Sequence, residues 1–274
     1  MAMRIFWQSF IDETSSKEYL ERLSSYLNEI ADPGTKVDVF GMSPPDRAFG
    51  RLSEFRCAAV AIDNGIAAEE AGYDAIVMGH FQDPGLYELR SAVSIPVVGT
   101  GEVTLHYAAQ MGRNIALISI DEIYRVWFLE QSDRYGLRER ISHIGGLNVI
   151  PSDFSAAFAG DEEAKVRLVE AFCEIAEPMV RSGADVIVPA GVLPGLLLGR
   201  ERGLHVGHAP IINCAAVAMK SVEMQVKLSA LNGIEPSRGP SFAKASRQAI
   251  EDFQTTMLNG RGNRPNMVKT DVSA

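Results

Sequence analysis

Side chains able to do acid–base or nucleophilic chemistry near neutral pH are scarce here: five histidines and three cysteines among 274 residues. His80 stands out among them. It follows the β-rich run Ile76-Val77-Met78-Gly79 and precedes Phe81, Gln82, Asp83 and the turn signal Pro84-Gly85. An unperturbed imidazole titrates near ~6.5, so a histidine at a strand end can give or take a proton at neutral pH. Asp83 can orient that ring, or it can organise the turn ahead of Pro-Gly. Thr100 and Gly101, within Gly99-Thr100-Gly101-Glu102, fall at a strand-to-helix junction. A hydroxyl and backbone N–H groups there can hold a carboxylate or carbonyl oxygen, while Glu102 suits capping of the helix. Neither this run nor its surroundings supplies a full dinucleotide fingerprint.

Cys214 opens another helical run, a setting that lowers a thiol pKa, and is a candidate ligand contact. Cys57 and Cys173 sit inside amphipathic helical stretches, 54–71 and 161–181, where a buried inert thiol is expected. Gln8 and Ser9 end the first strand and can hydrogen-bond a polar substrate group, with Trp7 as an apolar wall; Ser119, Ile120 and Asp121 echo them later. His205 and His208 can join His80 in a metal-dependent hydrolase site. No carboxylate stands at a recognised ligand spacing beside them, so loop histidines and no metal or cofactor are expected.

These residues need elements to position them. Short β-rich runs at 4–10, 36–40, 74–78 and 95–98 alternate with helical patterns at 16–31, 54–71 and from 102 onward. That alternation marks parallel strands joined by crossover helices. Asp32-Pro33-Gly34 stops one helix and Pro44-Pro45 opens a loop. The order then restarts about 110 residues later. The strand from Arg4 is echoed from Asn114, the run from Ala71 to Leu86 is echoed from Ser182, and residues 95–100 are matched by 209–214. Three echoes in one order predict an α/β protein of two pseudo-symmetric lobes, residues 1–110 and 111–225, each a mostly parallel sheet flanked by helices. A helix at about 241–258 and a loose polar tail after Asn259 complete residues 226–274. Ligands of parallel sheets bind beyond the carboxyl ends of the strands, so the site is expected in a cleft between the lobes.

Composition narrows the function classes. The chain is 46% hydrophobic and 22% charged with 13 prolines, the make-up of a globular protein. Its net charge of −9, with no Lys/Arg cluster, argues against nucleic acid. No apolar stretch approaches roughly 18 residues, and the start, Met-Ala-Met-Arg-Ile, lacks the regions of a secretory signal. A cytoplasmic protein outside the membrane is expected, and the cysteine spacings fit a reducing compartment.

The segment Ile76 to Leu86 followed by Pro96-Val97-Val98-Gly99-Thr100-Gly101-Glu102 resembles the first catalytic loop and next strand of hydantoin and allantoin racemases, in the aspartate/glutamate/hydantoin racemase superfamily. Gly183-Ala184-Asp185-Val186-Ile187-Val188 with Pro210-Ile211-Ile212 is similar to that family's second catalytic region, so the resemblance spans most of residues 1–225. It implies a cofactor-independent enzyme in which one thiolate takes a proton from the substrate and an opposite thiol returns one. Here His80 stands where the first cysteine is expected and Gly191 where the second is. Trp7-Gln8-Ser9-Phe10 replaces the usual Asn-Pro-Asn.

Three functions follow. The first is an isomerase or racemase-like enzyme moving a proton on a small carboxylate, amide or cyclic amide; a hydrolase or decarboxylase fits the same scaffold. His80 is its acid or base, and Gln8, Ser9, Phe81, Gln82, Thr100, Gly101, Ala190, Gly191, Val192 and Cys214 are its substrate contacts. The second is a binding protein that kept the cleft and lost the chemistry, and the third is the metal-dependent hydrolase. A small-molecule partner and a homo-oligomer are expected in the first case.

Overall fold

The computed structural model describes residues 2–44, 50–199 and 201–259. In the first half, β1 (Met3–Asp12), α1 (Lys17–Ile30), β2 (Thr35–Met42), α2 (Arg51–Glu70), β3 (Ala75–Gly79), α3 (Leu86–Ala92), β4 (Val97–Gly99) and α4 (Thr100–Met111) alternate as the sequence pattern predicts. Their strands form a parallel sheet in the order β2-β1-β3-β4. The second half contains β5 (Ile115–Ser119), α5 (Arg125–Arg134), β6 (Ile141–Gly146), α6 (Ser155–Phe158), α7 (Glu162–Arg181), β7 (Val186–Pro189) and α8 (Val192–Leu197). After these come β8 (His205–Val206), β9 (Ala209–Pro210), α9 (Cys214–Asn232) and α10 (Arg247–Asn259). The sheet β6-β5-β7 is parallel, and a single parallel bridge from Ile187 to Ile211 stands where the first sheet has β4. The fourth strand of the repeat is thus present as one bridge, its upstream residues being drawn into the antiparallel β8–β9 pair.

Burial explains why these runs become strands. β3 and β5 are buried along their whole length and β1 nearly so, the mark of parallel strands covered on both faces. Successive side chains alternate between layers. Ile5, Trp7, Ala75 and Val77 join Ile115, Leu117, Val186 and Val188 in one core shared by both sheets. Phe6, Ile76 and Met78 face α2 and α3 in a second cluster, while Ala116, Ile118 and Ile187 face α7 in a third. Helix α1 buries Tyr19, Leu23, Tyr26 and Leu27, a stripe at helical spacing.

Helix α9 closes the shared core. It starts in the second half but lies against α1, α4, β3 and β4 of the first, so residue 225 falls within a continuous helix rather than at a break. The C-terminal helix begins at Arg247, later than position 241, and seats Ile250 and Phe253 against the α2 side. The polar stretch after Asn259, and Pro45 of the expected loop, lie outside the described residues. No described helix is long and apolar enough to cross a membrane.

Candidate active site

A cavity of about 480 Å³ opens where the carboxyl ends of the two sheets meet. Its walls are the carboxyl end of β1 (Phe10, Ile11, Asp12) with Ser15, Ser16 and Tyr19 at the start of α1, the end of β3 and the loop after it (Gly79 to Gln82), Ser119 at the end of β5 with Ile120 and Tyr124 beyond it, Ile150 to Ser152, and Ala190 to Pro194 after β7. This is the position that parallel-sheet topology dictates. Of the residues named from sequence, His80, Phe81, Gln82, Ser119, Ile120, Ala190, Gly191 and Val192 line it together.

His80 is half-buried, its ring edge-on to Phe10 with centroids 4.8 Å apart. The Asp83 N–H donates to the His80 carbonyl at 3.0 Å, closing a tight turn, and the Gln82 N–H donates to His80 Nδ1 at 3.3 Å. An Nδ1 that accepts leaves the proton of the neutral ring on Nε2. The neutral ring is therefore a donor at Nε2, with its Nδ1 lone pair taken by the long Gln82 bond. Phe81 contributes backbone to the cavity; its ring is buried edge-on against Phe128 at 5.7 Å.

The opposite wall is backbone. Gly191 is extended at φ 166°, its carbonyl accepting from the Gly195 N–H at 3.0 Å and from the Cys214 thiol at 3.3 Å. Cys214 is buried behind that glycine rather than facing the cavity, and burial pushes its thiol up to about 12, away from the reactive range. The helix-start position that favoured a thiolate is outweighed by desolvation.

Four further expected contacts sit one layer behind the lining. Gln8 is buried and acts as a staple. Its Nε2 donates to the carbonyls of Ser9 at 2.8 Å and Gly41 at 3.0 Å, and its Oε1 accepts from Asn64 at 2.8 Å. Ser9 is buried against the Tyr19 hydroxyl, and Trp7 is enclosed in the shared core, so the apolar wall is Phe10 instead. Thr100 donates its hydroxyl to the Met78 carbonyl at 2.6 Å. Gly101 donates its N–H to Asp83 Oδ1 at 3.0 Å, and Glu102 donates to Asp83 Oδ2 at 2.7 Å. The anion expected from a ligand at the start of α4 is supplied by the protein's own Asp83. The Glu102 side chain instead pairs with Arg90 at 2.5 Å.

Asp83 also accepts from the Tyr135 hydroxyl at 2.7 Å and from Gln131 Nε2 at 3.3 Å, and Gln131 donates to the Phe81 carbonyl as well. Burial drives the Asp83 carboxyl up, the phenol and the two backbone amides pull it back, and the balance leaves it at about 7. Burial and the adjacent carboxylate hold the Tyr135 phenol above its usual range. Gln131 and Tyr135 carry no sequence signal of this role, since both come from the end of a helix in the other half of the chain. Tyr19 of α1 and Tyr124 just ahead of α5 carry no such signal for a similar reason: each faces the cavity only once both sheets are in place.

His205 and His208 are exposed in the β8–β9 segment, and among the described residues no group of three His, Cys, Asp or Glu side chains converges to hold a metal ion. Cys57 is buried and Cys173 half-buried, both free thiols.

The sequence profile described as Asp/Glu/Hydantoin racemase matches residues 10–222. The hydantoin racemase of Paenarthrobacter aurescens is 25% identical over 240 residues, 87% of this chain and 97% of that protein. That of Pseudomonas sp. (strain NS671) is 29% identical over 101 residues, so the match spans 37% of this chain and 39% of the relative. The allantoin racemase from Klebsiella pneumoniae superposes with a TM-score of 0.72 at 21% identity, covering 90% of this chain and 95% of that one, which establishes the shared two-lobed architecture. The chain belongs to the Asp/Glu/hydantoin racemase family, whose members are isomerases of the cofactor-independent racemase type.

Proposed function

We propose that this chain is an isomerase that moves one proton at the carbon beside a carbonyl in a small neutral cyclic amide, with His80 as its proton carrier. The observation that carries the reading is the asymmetry of the cavity, with an imidazole on one wall and backbone at Gly191 on the other. His80 takes the proton as the C–H bond breaks, and the electron pair passes into the adjacent carbonyl as an enolate. A solvent water on the Gly191 side then protonates the opposite face of the carbon, the hydroxide left behind being neutralised by the proton that His80 releases. The Val192 and Leu193 amides, in the first turn of α8, have no intrahelical acceptor and lie in the cavity wall. They serve as donors to the enolate oxygen, beside Gly191 and in place of the amides at the start of α4, which Asp83 occupies.

Substrate charge follows from the lining. Among the described residues that form it there is one carboxylate, Asp12, and no lysine or arginine, which disfavours a dicarboxylic amino acid. Phe10, Ile11, Ile120 and Leu193 suit an apolar substituent. The hydantoin and allantoin racemases among the relatives are named for cyclic ureides, in agreement. A binding protein without turnover is favoured by one observation, the Gln82 amide seated on the His80 lone pair.

The two are separated by His80→Ala with a 5-substituted hydantoin, following solvent deuterium incorporation and optical rotation. Turnover is expected to fall by about 100-fold or more with affinity nearly unchanged. Equal rates in both proteins would remove His80 from the chemistry.

A further inference from the structure

We propose that Asp83 is a positioning residue: its buried carboxylate, gripped by α4 of the first half and α5 of the second, fixes the turn that presents His80 to the cavity. The inference rests on the reading of His80 as the proton carrier and adds what sets that ring's orientation.

The geometry is specific. Asp83 sits at φ 52°, a left-handed conformation uncommon outside glycine, though aspartate tolerates it better than most residues, and here the contacts of its carboxylate hold it in place. Its N–H closes the turn on the His80 carbonyl, and Gln82, between them, holds Nδ1. Movement at Asp83 is therefore passed through one turn to the imidazole. On the other side the carboxylate stands in for a missing cap. Helix α4 begins after Gly99, which has no side chain to accept from the first turn, and Asp83 reaches across to take the Gly101 and Glu102 amides. Little space is left for an alternative, because a Cβ at Gly101 would stand 1.9 Å from the Phe81 carbonyl oxygen and 2.3 Å from Gln131 Nε2.

The remaining donors, Tyr135 and Gln131, belong to the end of α5. A ring on the first wall is thereby oriented by a helix of the second half, so the relative placement of the halves and the angle of the catalytic side chain are one variable. The charged and titratable groups around Asp83 are Tyr135 from α5, Glu102 from α4 in its pair with Arg90 from α3, Tyr87 from α3, and the Cys214 thiol from α9. Tyr135 alone among them donates a side-chain hydrogen bond to the carboxylate, so removing its hydroxyl weakens the ionised form of Asp83 without adding charge.

The test uses the full chain with ring-labelled histidine, the His80 resonance being identified by its loss in His80→Gln. Two titration steps are expected at His80, its own and one reporting Asp83. In Tyr135→Phe the second step moves up by about one pH unit, and in Asp83→Asn it vanishes and the resonance shifts. If Asp83→Asn does not fold, Tyr135→Phe carries the test. A folded Tyr135→Phe protein whose His80 resonance titrates as in the parent overturns the proposal, as does a loss of thermal stability with no change at His80. Because these readouts need no substrate, they stand apart from the turnover assay of His80→Ala.

Discussion

The loops that follow β3 and β7 occupy the same place in two copies of one topology, yet they are built in opposite ways. Beyond β7 and the Ile187–Ile211 bridge, helix α9 caps itself. Asn213 accepts from the Ala215 and Ala216 amides at 3.0 and 3.3 Å, and the loop at 190–192 is left to form a wall of backbone over Cys214. Beyond β3 and β4, helix α4 has glycine at its cap, and the loop after β3 must supply the acceptor from Asp83. A loop that caps a helix across the sheet cannot drift, and the residue three positions ahead of that acid is the imidazole. The rigid loop carries the titratable group and the independent one carries none. Two copies of one topology offer two comparable edges, and the one whose loop caps a neighbouring helix is the one that presents an imidazole to the cavity.

Glycine-to-alanine changes should separate the two loops most sharply. At Gly101 the added carbon would strike the Phe81 carbonyl oxygen and the Gln131 amide, neither able to move without breaking the Asp83 cluster. Gly101→Ala is expected to lose at least about 4 kcal/mol in urea unfolding, at the upper end for a single substitution. A loss below about 1 kcal/mol would mean the cluster is looser than its hydrogen bonds imply.

Acid titration is the next lever. The folded-state carboxyl of Asp83 lies at about 7 against an ordinary 3.8. The folded chain thus holds a proton that the unfolded chain releases over that interval. The associated stability is fully present below the ordinary value and lost as pH rises through about 7. Over the part of that interval above pH 5 the loss is on the order of 2 kcal/mol. Denaturant midpoints measured from pH 5 to pH 8 should fall for the parent and stay flatter for Asp83→Asn. Coincident pH profiles would remove Asp83 from the account. Positioning of His80 runs the opposite way, since only the ionised carboxylate accepts from all its donors.

Much of this was legible before the coordinates. The parallel sheets were readable because strands buried on both faces leave continuous apolar runs, and their repetition in order gave the two halves. The cleft followed from topology, which placed His80, Gln82 and residues 190–192 on its walls. What escaped is satisfaction of hydrogen bonds at a distance. The amides at the start of α4 look available in sequence, and only the fold shows an acid 18 residues upstream of Gly101 taking them. Gln8 reads as a strand-end contact until its amide is seen holding β2. Cys214 reads as activated until its burial is known.

A smaller effect is expected at Asn213. Replacing it with alanine removes the cap of α9 and the bond from its amide to the Tyr26 hydroxyl at 2.6 Å, for a loss of about 1 kcal/mol by thermal or urea unfolding. The loop at 190–192 and the cavity should be left in place, because that loop does not cap α9. Loss of ligand binding in Asn213→Ala would show the two loops to be more alike than described.

The smallest change in stability should accompany the most informative substitution in the β7 loop. Gly191 has an extended backbone that any residue adopts, and a Cβ there would meet the Pro194 ring at 3.2 and 3.4 Å. That contact needs a shift of a few tenths of an ångström in a proline at the rim of a cavity. Loss of glycine's freedom in the unfolded chain offsets part of the strain. Gly191→Cys should therefore stay within about 1 kcal/mol of the parent in urea unfolding. It would also set a thiol on the wall opposite His80, where a proton can be delivered to the other face of a bound enolate. If the second wall lacks only a proton carrier, Gly191→Cys will racemise a 5-substituted hydantoin faster than the parent and draw the new hydrogen from solvent. An unchanged rate in a folded variant would mean that the asymmetry of the two loops reaches beyond the missing side chain, into how the substrate is held between them.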